Sequence, residues 1–177
     1  RLFCARDRLG IKPFYYATPQ GNFVFASEIK ALLADPQCQR EPDDRAVVGF
    51  LVHGNCDYAE RTLFRGIQAL PAAHSLTVDA ATGGISIRCY WQLDAQSTRK
   101  QTDQAHIAEV REALVGSVRT HLVSDVRAGS CLSGGLDSSS VVAAIGKIWR
   151  DEPEAAAAIG ERLYTFTSCY EQKAFDE

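Results

Sequence analysis

Methionine is absent from the 177 residues, and so are the patterns that would point to several other kinds of protein. No run approaches the ~18 consecutive apolar residues of a membrane-spanning helix, so no membrane partner is expected. The six cysteines, at positions 4, 38, 56, 89, 131 and 169, include no Cys-x-x-Cys and no Cys/His pair at zinc spacing. A disulfide framework is therefore disfavoured. Cys4, Cys89, Cys131 and Cys169 fall in or beside apolar runs, where buried free thiols are the default. A reduced, cytoplasmic protein follows. His53, His74, His106 and His121 stand apart along the chain and read as surface or helix-end residues rather than ligands. A net charge of −3 and a pI near 5.8 lack the basic excess of a nucleic-acid partner. The local cluster Arg6, Arg8 and Lys12 is interrupted by Asp7 and reads as a solvated edge. With no methionine and an opening in mid-pattern at Arg1-Leu2-Phe3-Cys4, the chain is expected to be an internal piece of a longer protein. A missing signal peptide then says nothing about targeting.

What is present describes a globular chain. Apolar residues at 46% and charged residues at 23% match an ordinary folded protein, and the length suits one domain or two small ones. Leu2–Ala5 and Phe14–Ala17 read as strands, and Gln20-Gly21-Asn22 reverses the chain into Phe23–Ala26 as a hairpin. Ser27 is placed to cap a helix running to about Ala34, closed by Pro36. Asp43 or Asp44 caps a second helix, with Val47, Phe50 and Leu51 on one face. Leu70-Pro71 leads into a strand at His74–Val78, which Thr82-Gly83-Gly84 returns as the alternating Ile85–Trp91.

Residues 94–104 are polar and without periodicity, which marks them as a linker between a domain at 1–93 and another at 105–177. In the second, Ile107, Val110, Leu114, Val118 and Leu122 form one apolar stripe on a helix of some five turns. A strand at 127–132, a Gly-containing loop, a helix at 136–149 and a strand at Leu163–Tyr170 then make a βαβ unit. Such a unit implies a parallel sheet with the loop at its C-terminal edge, where α/β proteins bind ligands. The apolar face of the second helix is Val141, Val142, Ile145, Ile148 and Trp149.

That loop carries the chemistry. Ser133-Gly134-Gly135-Leu136-Asp137-Ser138-Ser139 puts two glycines, three hydroxyls and the free N–H groups of a new helix at one place. Glycine lets the backbone approach a bulky ligand, and helix N-termini favour anions. Any α/β protein needs a strand–helix turn, and two glycines alone mean no more than that. A Walker loop is excluded because Gly-Lys-Ser/Thr is missing, so cleavage between the α and β phosphates of a nucleotide is the better expectation. A Ser-His-Asp hydrolase built from Ser133, His121 and Asp125 lacks the Gly-x-Ser-x-Gly elbow, since Cys131 stands where the first glycine belongs.

The seven-residue string resembles the pyrophosphate-binding loop of the ATP pyrophosphatase (PP-loop) superfamily. The likeness widens on other blocks: Arg6-Asp7-Arg8-Leu9-Gly10-Ile11-Lys12-Pro13-Phe14-Tyr15-Tyr16, Ala26-Ser27-Glu28-Ile29-Lys30-Ala31-Leu32, Thr62-Leu63-Phe64-Arg65-Gly66-Ile67 and Tyr90-Trp91. With His121-Leu122-Val123-Ser124-Asp125-Val126 ahead of the loop, nearly the whole chain resembles the glutamine-hydrolysing asparagine synthetases of the B type. The resemblance implies an α+β fold, the C-terminal part of a class II glutaminase of the N-terminal-nucleophile sandwich type. After it would come the start of an α/β parallel-sheet synthetase domain. It implies ATP-dependent conversion of aspartate to asparagine through aspartyl-AMP, with ammonia from glutamine.

By match to the motif, Ser133, Gly134, Gly135, Leu136, Ser138 and Ser139 would form the pyrophosphate loop, and Asp137 would help hold Mg²⁺. Leu132 would lie under the adenine, and Ser168 would offer it backbone contacts. Asp137 could instead be a helix N-terminal charge that suits the dipole, and metal binding is the preferred reading because phosphates with Mg²⁺ need an oxygen ligand nearby. The implied partners are aspartate, glutamine and ATP, with a homodimer left open. The family's nucleophilic cysteine would lie upstream and its later acidic motif downstream, so the piece alone is expected to be inactive. Arg127 replaces the usual proline after Val126, and Ala72-Ala73 replaces Pro-Gly before His74. These departures leave room for a homologue acting on another carboxylate, of the β-lactam synthetase or lasso-peptide cyclase type, or for a non-catalytic relative.

Overall fold

The computed structural model describes residues 1–54, 60–94 and 101–169. Cys56, the middle of the polar linker and the end of the last strand at Tyr170 lie outside the described residues. The chain divides into two compact units, Arg1–Ser97 and Thr98–Glu177, each a mixture of helix and small sheets.

In the first unit, β1 (Leu2–Ala5), β5 (His74–Val78) and β6 (Ile85–Cys89) form one antiparallel sheet in the order β1-β5-β6. The second sheet has the order β3-β2-β4, from β2 (Tyr15–Ala17), β3 (Val24–Ala26) and β4 (Ile67–Ala69). Period-2 alternation sends Leu76 and Val78 of β5 inward, where they join Cys4, Tyr16 and Leu70 in a core flanked by Phe14 and Phe23. Ala17, Leu32, Cys38 and Ile67 form the other apolar cluster. The edge position of β6 leaves Ile85 and Ile87 exposed, although the sequence alternates as a half-buried strand does. The hairpin turn that joins β5 to β6 is held by Asp79, whose carboxylate accepts from Ala81 and Thr82 N–H at 2.9 and 3.2 Å.

The helices depart from expectation at their ends. α1 spans only Ile29–Leu32 and starts after Glu28 with no side-chain cap, so Ser27 does not perform that role. Its last turn tightens into i→i+3 bonds, Ala34 N–H to Ala31 O and Asp35 N–H to Leu32 O, which ends the α-helix early. α2 (Asp44–His53) is capped by Asp43, whose carboxylate accepts from Arg45 and Ala46 N–H at 3.1 Å each, and Gly54 closes it at φ +67°. Its expected apolar face is largely open, with Phe50 and Leu51 exposed and Val47 half-buried.

Arg6 is not the solvated edge that its charged neighbours imply. Its guanidinium donates to the carbonyls of Lys12, Leu70 and Gly10 at 2.9, 2.7 and 2.9 Å. Asp7 accepts from the N–H groups of Leu9, Ile11 and Lys12 at 3.1, 2.9 and 2.9 Å. The Arg6–Pro13 segment is thus a turn wound around two side chains of opposite charge. Those backbone donors, Lys12 and Ile11 foremost, hold the Asp7 carboxyl below the usual aspartate range.

In the second unit, α3 (Asp103–His121) is capped by Thr102, which accepts from Ala105 N–H at 3.3 Å. It precedes β7 (Gly129–Cys131), α4 (Leu136–Asp151), a 3₁₀ turn at Ala157–Ile159 and β8 (Tyr164–Phe166). β7 and β8 pair in parallel, with Cys131 opposite Phe166. The core is Val118, Leu122, Ala144, Ile145, Ile148, Ala156 and Ile159, and Arg119 ties α3 to Glu152 through two bonds of 2.8 and 2.6 Å. Only the last turns of the α3 stripe are buried, since Ile107 and Val110 are 59% and 68% exposed. The apolar face of α4 is narrower than its sequence implies, with Val141 and Val142 half-buried and Trp149 exposed. Cys131 and Cys169 are exposed rather than buried, whereas Cys4 is buried and Cys89 half-buried. A two-stranded sheet has little other surface with which to cover them.

Candidate functional site

The loop after β7 is shaped by its glycines. Gly134 sits at φ +80°, a left-handed conformation that a residue with Cβ resists. Gly135 is the residue before α4 (φ −70°, ψ 162°) and brings no capping side chain. The first intrahelical bond is Ser139 N–H to Gly135 O at 3.1 Å. The N–H groups of Leu136, Asp137 and Ser138 consequently have no partner among the described residues. Three unsatisfied donors at one helix end form a site of positive potential.

Within the loop the hydroxyls of Ser133 and Ser138 meet at 3.1 Å. Ser138 Oγ also accepts from Ser133 N–H and donates to Gly135 O, both at 3.2 Å. These bonds draw the start of the loop and the first turn of α4 together. The Ser139 hydroxyl takes no part and has no hydrogen-bond partner among the described residues. Leu136 is 84% exposed and Leu132 half-buried, while Ser133, Gly134, Gly135, Asp137, Ser139 and Ser168 are exposed.

Asp137 lies in the first turn of α4, and its carboxylate forms no ion pair among the described residues. A single free carboxylate beside the free N–H groups at the start of α4 is a donor type that Mg²⁺ accepts, since that ion is commonly held by one or two carboxylates and the substrate's own phosphates. No group of three or more His, Cys, Asp or Glu at metal-binding distance occurs among the described residues. The hydrolase alternative finds no support in the hydrogen bonding: His121 Nδ1 lies 2.9 Å from Ser117 O, and Ser133 Oγ is engaged with Ser138.

One residue that no sequence pattern marks, Thr167, holds the entry to the loop. Leu132 leaves β7 with its N–H bonded to Phe166 O at 2.9 Å, and its carbonyl accepts from Thr167 Oγ1 at 2.6 Å. No motif signals this, because the contact joins residues 35 positions apart. It arises only once β7 and β8 pair in parallel. Gly129 belongs to the same junction. A Cβ there would come within 2.9 Å of the Phe166 ring and 3.1 Å of Tyr164 O.

Each of the two units is matched by its own family model. Residues 1–91 match the family described as glutamine amidotransferase domain, and residues 109–177 match the family described as asparagine synthase. It is 35% identical over 171 residues to asparagine synthetase [glutamine-hydrolyzing] 3 of Bacillus subtilis, covering 97% of this chain and 26% of that protein. It is 36% identical over 150 residues to asparagine synthetase [glutamine-hydrolyzing] 2 of the same species, covering 80% of this chain and 20% of that one. A protein named amidase chyE from Penicillium rubens is 32% identical over 156 residues, 84% of this chain and 22% of its own length. The chain belongs to the glutamine-hydrolysing asparagine synthetase family. It spans about a quarter of the length of the first of these relatives and a fifth of the second.

Proposed function

We propose that the protein carrying this chain is an ATP-dependent ligase that converts aspartate to asparagine, with ammonia drawn from glutamine. The observation that carries the reading is the Ser133–Ser139 loop, in which a left-handed glycine precedes an uncapped helix end with three free N–H donors. The finer architecture belongs to the same reading. Residues 1–93 are part of a class II glutaminase sandwich, 94–104 a linker, and 105–177 the beginning of a PP-loop domain.

In this account the aspartate side-chain carboxylate attacks the α-phosphate of ATP. The α–β bond breaks, pyrophosphate leaves, and ammonia then displaces AMP from aspartyl-AMP. The free N–H groups at the start of α4 and the hydroxyls of Ser133, Ser138 and Ser139 hold the departing pyrophosphate. Donors already aimed at developing charge need no reorganisation during the reaction. Leu132 and the backbone at Ser168 meet the adenine, and Leu136 completes the loop. Asp137 would hold Mg²⁺, which when bound neutralises charge on the leaving group. A cytoplasmic setting suits the unpaired cysteines. The chain by itself, spanning a fifth to a quarter of these synthetase relatives, is read as inactive.

A second reading keeps adenylation and changes the acid. It is favoured by the relative named as an amidase and by the replacements at Ala72, Ala73 and Arg127. ATP–pyrophosphate exchange in the full-length protein, with aspartate compared against other carboxylic acids, separates the two. Exchange dependent on aspartate is the expected result, and exchange with another acid alone would remove the asparagine assignment.

A further inference from the structure

The loop can hold an anion only if its entry point is fixed, and that point is the Leu132 peptide. A carbonyl at the end of a strand has no ladder partner of its own, so it either faces water or takes a side-chain donor. Here Thr167 Oγ1 donates to it at 2.6 Å, while the N–H of the same residue is held by Phe166 O at 2.9 Å. Both polar groups of the last residue before the loop are thus anchored to the end of β8. Ser133 follows directly, and its N–H and hydroxyl meet Ser138 across the loop.

We propose that Thr167 is a positioning residue for the phosphate loop: its hydroxyl fixes the Leu132 carbonyl and thereby the place where Ser133 and the α4 donors converge. The role rests on the nucleotide reading given above. Thr167 is exposed, so removing its hydroxyl leaves the unit's apolar core intact. The loss is confined to one hydrogen bond, and the loop entry becomes free to shift. Thr165, in β8, is an exposed threonine whose hydroxyl has no partner among the described residues, and it serves as a control.

The test is equilibrium dialysis of the full-length protein with Mg·ATP, inorganic pyrophosphate and AMP as separate probes. Thr167→Val and Thr167→Ala are each expected to weaken ATP and pyrophosphate by the same factor, about three- to tenfold, as for one hydrogen bond lost. AMP, which lacks the gripped phosphates and meets only the adenine contacts at Leu132 and Ser168, is expected to lose less affinity than ATP or pyrophosphate. Thr167→Ser, which restores the donor, is expected to bind ATP within about twofold of the parent, and Thr165→Val to be silent. Unchanged ATP and pyrophosphate binding in both the valine and alanine variants would overturn the proposal. So would a serine variant as weak as valine, or an equal loss for AMP. A parent protein that binds neither ATP nor pyrophosphate would instead sink the nucleotide reading, and this proposal with it.

Discussion

Ala73 adopts φ +60° although it carries a Cβ, and it is buried. Its N–H donates to Asp7 O and its carbonyl accepts from Tyr90 N–H, both at 2.9 Å, so the turn cannot relax without breaking the contacts of β5 with its neighbours. The family motif carries glycine at this position, and the geometry supplies the reason. A left-handed L-residue costs roughly 1–2 kcal/mol, and glycine returns about half of that as chain entropy. Ala73→Gly is therefore expected to stabilise the first unit by about 0.5–1 kcal/mol in urea unfolding. A loss of stability would show that the backbone there is not strained. Two carboxylates act on the same unit. Asp7 is held below its ordinary pKa chiefly by the N–H groups of Lys12 and Ile11, and Asp43 chiefly by that of Ala46, with help from Arg61. Groups with lowered folded pKa values contribute fully above the ordinary value of about 3.9, and the contribution disappears as pH falls below it through the folded pKa. Asp7→Asn is expected to flatten the acid limb of the stability–pH profile below about pH 4. An unchanged limb would contradict the assigned role.

At the scale of elements, the pairing of α3 with α4 carries the second unit. Ile148 and Ile159 are fully buried between them and the 3₁₀ turn. Ile148→Ala is expected to cost about 2–5 kcal/mol, measured as a fall in the unfolding midpoint of the second unit. Trp149→Ala, at a side chain 38% exposed, is expected to cost less. Equal costs would mean that the helix faces are wrongly apportioned. Periodicity made the existence of α3, α4 and the strand–loop–helix order legible, because 3.6-residue spacing and strand-ending glycines are local signals. It overstated what they bury: Ile107 and Val110 continue the stripe yet stay exposed. A stripe records which face is apolar, not which part of that face finds a partner. β4 went unread because three residues after Arg65-Gly66 give too short a pattern. Thr167 went unread because its bond depends on strand pairing, which no local pattern encodes.

At the scale of the molecule, two units with separate apolar clusters lie in one chain, matched by two families whose descriptions are glutamine amidotransferase domain and asparagine synthase. Among the described residues no helix is long and apolar enough to cross a membrane. The family was legible from the order of short motifs, and the geometry explains several of them. Arg6 and Asp7 wind the first turn, Ala73 takes the left-handed position before β5, and Gly134 does so before α4.

The Ser133–Ser139 loop is the feature on which the proposed chemistry depends, and calorimetric titration of the full-length protein with Mg·ATP tests it most directly. The parent protein is expected to bind. Gly134→Val is expected to weaken binding about tenfold or more, since a β-branched residue opposes φ +80°. Absence of heat in the parent, or equal affinity in the variant, would contradict the account.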